Sequence, residues 1–265
     1  MSKGYTIGNQ GMKSFKLFYL TLVLFTAPNW LNAQVTSRDT NAVIPMIQFS
    51  YAFQIPQGDL EERFSNHSAL SFDFIVKKNR YYFGIGTDFN FGGGVKETGI
   101  FDSISTSEGQ IIDANGRFAD IRVFQRGFRV YGSLGYHLGG PGPNVNSGFF
   151  ALAKMGFWQH SIFIDNIGGL APQLSQSYTP YYDRMTNGFY ISETLGYLYL
   201  ANDGLFNAFA GIEFSQGFLK GRRDWQMDLR GPYNENRTDL TLGFRIGFTL
   251  ALYPKNDRNA KYYYY

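Results

Sequence analysis

Seven charged side chains stand singly inside stretches that are otherwise apolar at every second position: Asp73, Asp88, Arg129, Lys154, Glu193, Glu213 and Arg245. Four acids and three bases can neutralise one another or line a polar path, provided the chain brings them to one place. The three histidines, His67, His137 and His160, offer a general base. Two have a hydroxyl beside them, in His67-Ser68 and His160-Ser161, the residue types of an acyl-transfer or lipid-modifying site. Adjacent residues of a strand point to opposite faces, so neither pair makes a nucleophile–base contact by itself. No Gly-x-Ser-x-Gly elbow and no His-rich metal spacing occurs, and Gly92-Gly93-Gly94 opens no helix that could cradle a phosphate. The chain has no cysteine, which removes thiolate ligands and disulfides. The expectation is a non-enzymatic protein with no catalytic residue, no metal and no cofactor.

Two further clusters could bind something. Lys220, Arg222, Arg223, Arg230 and Arg237 gather around Trp225, and guanidinium forks suit the phosphates of lipopolysaccharide. The plainer reading is a solvated loop neutralised by Asp224, Asp228 and Glu235. The chain closes on Lys261-Tyr262-Tyr263-Tyr264-Tyr265, read either as a docking peptide for a periplasmic or outer-membrane protein or as aromatics resting at the headgroup level.

The elements that must position these groups are strands. From Leu240 to Tyr253 the chain reads LTLGFRIGFTLALY, with Leu240, Leu242, Phe244, Ile246, Phe248, Leu250 and Leu252 on one parity and Arg245 on the other. A period of two held this long predicts a strand with one fully apolar face. Soluble strands run about 5–6 residues, and membrane strands need roughly 9–11. Seven earlier stretches behave alike: 45–55, 70–76, 81–91, 128–138, 149–157, 189–200 and 206–214. In 149–157 and 189–200 the pattern is less clean, and there the inward parity is assigned by keeping Lys154 and Glu193 out of lipid. On that assignment all seven charges face a common lumen. They would plug it as salt bridges or, on the other reading, line a narrow pore. Gly127 is read as a bulge, because Arg126 and Arg129 lie on opposite parities and both should avoid lipid.

The links alternate in length. Short turns are expected near Lys77–Arg80, Gly139–Ser147 and 201–204, and long loops follow the first, third, fifth and seventh strands, the asymmetry of outer-membrane barrels. Asn115-Gly116 signals a hairpin in the second long loop, as though the third and fourth strands continued above the membrane. At the start, Lys13 and Lys16 precede the apolar run Leu17–Ala27, and PNWLNA ends on a small residue. This predicts a secretory signal over 1–33 cleaved after Ala33, then a lead-in over 34–42, a barrel over 43–253 and a tail over 254–265. Residues 1–33 carry Lys3, Lys13 and Lys16 and no acid, so the 24 basic residues fall to 21 against 21 acidic ones. A neutral mature chain has no electrostatic footprint for nucleic acid.

Arg245-Ile-Gly-Phe-Thr-Leu-Ala-Leu252 resembles the C-terminal β-signal of outer-membrane barrels: a polar residue, Gly two on, then two apolar residues spaced by one. Arg245, Gly247, Leu250 and Leu252 fill those places, although the family sets the signal at the extreme end and about a dozen residues follow it here. With the Asn-Ala-Gln cleavage region and the tyrosine-ended tail, the chain resembles the small outer-membrane β-barrel proteins of Bacteroidota. That resemblance implies an all-β antiparallel barrel of about eight strands, with ten as the alternative, integral to the outer membrane and recognised by the barrel-assembly machinery. Some such barrels are accessories of type IX secretion and gliding machinery. The role this implies is an anchor or accessory subunit of an envelope complex, with a narrow porin-like channel or an outer-leaflet lipid-modifying enzyme as alternatives.

Overall fold

The computed structural model describes residues 43–201 and 207–252. The expected signal, lead-in and tyrosine-ended tail lie outside the described residues. Strand alternation dictates the architecture: β1 (Val43–Gly58), β2 (His67–Lys78), β3 (Tyr81–Gly92), β4 (Ile121–Gly139), β5 (Gly148–Asn166), β6 (Thr186–Leu200), β7 (Asn207–Gly221) and β10 (Asn236–Ala251). Each pairs antiparallel with its neighbours, and β10 closes on β1, so these eight strands form a barrel. The remaining strands, β8 (Arg223–Gln226) and β9 (Gly231–Tyr233), pair only with each other, in the loop between β7 and β10. A five-residue helix, α1 (Asp59–Arg63), follows β1.

The register sets the barrel's dimensions. A ladder line that leaves β1 at Pro45 passes through Val76, Phe83, Leu134, Ala153, Glu193, Phe214 and Leu242 and returns to β1 at Ile55, ten residues on. Eight strands with that stagger tilt by about 40°, and the interior is just wide enough for side chains to fill. The outward parity of the strands is mostly apolar and exposed, with Phe72, Ile85, Met155, Phe244 and Phe248 typical. A continuous belt of this kind far exceeds the patches a soluble monomer tolerates; it is the lipid-facing wall of a transmembrane barrel. Tyr81, Tyr136, Tyr197 and Tyr199 ring one edge of it, and the turns at that end are short, which marks the periplasmic side.

Two expectations are corrected. Pairing runs without a shift through Asn90↔Gly127↔His160, and the one irregularity of β4 lies between His137 and Gly139, so Gly127 is not a bulge. Arg126 instead faces outward in the outer part of β4, with its guanidinium over the rings of Phe124 and Phe163 at 5.4 and 5.6 Å. The strands that extend outward are β4 and β5, 19 residues each, rather than β3 and β4. The hairpin turn at Asn115-Gly116 is present, with Gly116 at φ 74° and a bridge between Ile112 and Phe118, but it is a separate turn inside the loop.

Candidate functional site

Inward parity brings Asp73, Asp88, Arg129, Lys154, Glu213 and Arg245 into the lumen, each at most 4% exposed. They meet because the stagger sets positions from β2, β3, β4, β5, β7 and β10 at overlapping depths. Arg245 is the hub. Its Nε and Nη2 donate to Glu213 at 3.0 and 2.8 Å, and Nη2 reaches Asp88 at 3.2 Å. Its Nη1 donates to Ser50 at 3.0 Å and to Ser71. Lys154 Nζ donates to Glu213 at 2.9 Å. Arg129 stands 3.8 Å from both Asp88 and Glu213, and its guanidinium lies 3.9 Å from the centre of the Trp158 ring. The Tyr131 hydroxyl is 2.8 Å from both Asp73 and Asp88. Gly86 makes room for this arrangement, since a Cβ there would come within 2.2 Å of the Asp73 carboxylate. Three acids thus face three bases, and a buried cluster with balanced charge can persist where an isolated ion could not.

Glu193, expected in the same lumen, is on the opposite face. Cross-strand partners point the same way, and Ser192 is paired with the inward Lys154 and Ser215, so Glu193 sits with Ala153 and Phe214 on the outer wall. That parity turns Phe189, Leu195 and Tyr199 to lipid, which outweighs the cost of one outward carboxyl.

Above and below the charges the lumen is filled. Toward the periplasm, Ile44, Met46, Tyr82, Phe150, Leu198 and Phe209 belong to one apolar cluster. Between this plug and the charges is a cavity of about 20 Å³ bordered by Asp73, Lys154 and Arg245, room for about one water. Toward the outside, Trp158, Tyr190 and Leu219 join Leu60, Phe64 and Ile100 of the loops in a second apolar core.

That outer core is roofed by an ionic chain for which the sequence offered no signal. Arg63 of α1 donates to Glu97 of the second loop at 2.6 Å, Glu97 accepts from Arg184 of the third at 2.7 Å, and Arg184 reaches Asp228 of the fourth. Arg63 also donates to the Tyr233 hydroxyl at 2.6 Å. All four outer loops are therefore tied to one another. Burial pushes the Glu97 carboxyl up, but the guanidiniums of Arg63 and Arg184 outweigh it and hold the group below its ordinary range. These partners are 34 to 170 residues apart in sequence, so no local spacing announces them.

The remaining expected residues are placed as follows. Arg223 grips Asp183 with a 2.8 Å bond from Nε and a second from Nη2, Arg222 donates to Asn187 at 2.8 Å, and Arg237 lies 3.3 Å from Asp239. Their hydrogen-bond partners are therefore not the Asp224, Asp228 and Glu235 expected from sequence. Lys220, at the outer end of β7, and Arg230, at φ 49°, are exposed. Arg245 and Gly247 face the lumen and Leu250 the lipid, on the strand that closes the barrel; Leu252 follows it, its amide donating to Pro45. His160 Nε2 is 2.6 Å from Asp239, whereas Ser161 is on the outward parity of β5. His67 lies near the Ser65 carbonyl, and Ser68 shares a 2.6 Å bond with Tyr51 on the outside. His137 lies between the Tyr82 hydroxyl and the Val145 carbonyl. Neither His–Ser pair forms a nucleophile–base contact. Among the described residues no group of three or more His, Asp or Glu could hold a metal ion.

No family model matches the sequence, and no curated protein matches it. Among solved structures the fold is similar to Ail, the attachment invasion locus protein of Yersinia pestis, solved with the heparin analogue sucrose octasulfate (TM-score 0.43, 9% identity, 78% of this chain and 99% of that one). It is also similar to Neisserial surface protein A (0.36, 11%, 77% and 96%) and to the outer membrane protein AlkL (0.31, 12%, 85% and 97%).

Proposed function

We propose that this barrel is an integral outer-membrane anchor or accessory subunit of an envelope complex, of secretion or of outer-membrane assembly, and that it works through its surfaces rather than its interior. The observation that carries this reading is the filled lumen: a balanced charge cluster between an apolar plug and a stapled outer cap. A molecule crossing the barrel would have to displace Phe150 and Phe209, separate Arg245 from Glu213 and open the cap. A narrow channel and an outer-leaflet enzyme fit this arrangement less well, because the cavity beside the charges has room for about one water and each histidine is engaged inside the wall. The outer wall supplies lipid contact, and guanidinium and ammonium groups such as those of Arg126 and Lys220 on the outward face suit the phosphates of lipopolysaccharide.

The test has two arms. The purified protein in a planar bilayer should give a flat current trace, and discrete openings would remove the reading. A tag in the loop after β3 leaves the C-terminal tyrosines free; pull-down from native membranes in mild detergent should recover secretion or assembly components in near-stoichiometric amounts, and recovery of the barrel alone would count against an accessory role.

A further inference from the structure

Glu193 is a carboxyl group on a wall built for hydrocarbon. On the outward face of β6 it has Phe189 and Ile191 on one side and Leu195, Tyr197 and Tyr199 on the other, so it stands inside the apolar band and not at its edge. It has no hydrogen bond or ion pair with any described residue. The outward-facing bases Lys78, Arg122, Arg126 and Lys220 lie toward the ends of their strands, away from its depth. An ionisable side chain in the membrane interior costs stability, and one that is kept there is ordinarily met by a partner.

Symmetry says what can meet it. Two copies of a barrel inserted the same way are related by an axis along the membrane normal, and rotation about that axis preserves the depth of every residue. A twofold contact centred on β6 therefore sets Glu193 opposite Glu193 of the second copy. A protonated carboxyl both donates and accepts, so two such groups sharing protons are complementary to each other. No base of a second copy can arrive at that level, because its bases sit toward the rims. Gln216, outward on β7 and likewise without a polar partner among the described residues, carries a second self-complementary group on the same wall. Ala153 and Ala151 on β5, which pair with Glu193 and Leu195, keep the wall low on that side of the carboxyl and let a second backbone approach, while Phe214 and Ile212 of β7 stand on its other side. The opposite wall, of β1, β2 and β3, carries Phe49, Phe72 and Phe83.

We propose that the outer wall of β5, β6 and β7 is the interface of a twofold dimer of this chain within the membrane, with Glu193 at the axis. The absence of cysteine makes the test direct. Leu195→Cys, next to Glu193 on the same face, should form a disulfide to its own copy when the full chain in lipid bilayers is treated with a mild oxidant. Phe72→Cys on the far wall should stay monomeric. Adding Glu193→Leu to Leu195→Cys should lower the crosslinked fraction at least tenfold, and Glu193→Gln, whose amide can pair with itself, should restore most of it. Heat-modifiable gel mobility shows that each variant is folded. Equal crosslinking at both walls, no crosslink at position 195, or a crosslink indifferent to Glu193→Leu would each overturn the proposal. So would a crosslink in native membranes to a different protein and none between copies.

Discussion

Replacing Arg245 by Met tests the claim that the lumen is held by charge balance. Arg245 is 2% exposed and serves Glu213 twice, Asp88, Ser50 and Ser71. Met refills most of the aliphatic stem, so the cost is electrostatic rather than a cavity. Without Arg245, three carboxyl groups face only Lys154 and Arg129. Removing one member of a buried ion pair costs about 3–5 kcal/mol. Glu213 keeps Lys154 at 2.9 Å and both acids keep Arg129 at 3.8 Å, which points to the lower end, about 3 kcal/mol. The assay is equilibrium urea unfolding in lipid or detergent, followed by the fluorescence of buried Trp158 and by gel mobility. Folding from urea uses no assembly machinery, so a role of Arg245 in the β-signal does not enter. The double variant Arg245→Met, Glu213→Gln restores the balance and should recover at least half of the loss. A loss below about 1 kcal/mol for Arg245→Met, the worth of an exposed pair, or no recovery in the double variant, would refute the reasoning.

Other perturbations follow from the same geometry. Gly86→Val places side-chain atoms on the Asp73 carboxylate and the Tyr131 ring, an overpacking expected to cost about 1–3 kcal/mol in the same unfolding assay, whereas valine at Gly93, where a Cβ meets nothing within 4 Å, should be neutral. The cap should loosen in acid. Because the Glu97 carboxyl is held below its ordinary range, its contribution is present above that range and is lost as pH falls through the depressed value. Protease nicking of the outer loops should therefore rise as the pH is lowered from neutral to below the ordinary carboxylate range while the barrel's gel mobility is unchanged, and Glu97→Gln should be nicked at neutral pH with a flatter pH response.

The barrel was legible because its signal is local and repeated: the alternation of β10 or β1 is a period-two pattern that needs no knowledge of the partner strand. Five luminal charges were legible for the same reason, each sitting opposite a run of large apolar residues, while Lys154 on β5 was assigned inward only by keeping it out of lipid, and the structure does set it in the lumen. β6 defeated that logic because both of its parities are largely apolar, Tyr190, Leu198 and Leu200 inside and Phe189, Leu195 and Tyr199 outside. A single carboxyl then decided the assignment, and it decided wrongly; the deciding information lies in the pairing of Ser192 with Lys154 and Ser215. Arg126 misled in the same way, since an Arg near the outer end of a strand can face outward with its charge over aromatic rings and still reach the headgroups. The cap was invisible because its bonds join loops whose relative positions exist only once the barrel has closed.

The periplasmic plug shows that this lumen can be filled largely by apolar side chains such as Ile44, Met46, Phe150 and Phe209, so the charges at mid-height need their own explanation. Filling is not what they add, and a balanced ionic cluster gives little or no stability over an apolar one. They do act on register. Arg245 meets Glu213 because Arg245 pairs with Gly211, and it meets Ser50 because β10 sets Arg245 against Ala52 on β1. A slip of β10 by one residue would turn Arg245 into lipid, at a cost of about 2–4 kcal/mol near the midplane, leave Glu213 and Asp88 short of a base, and put Phe244 and Ile246 into the lumen. An apolar lumen facing an apolar belt would penalise that slip far less, because leucine is tolerated on either side. The closing strand is where a barrel is most exposed to misregistration, and it is the strand that carries the hub of the cluster.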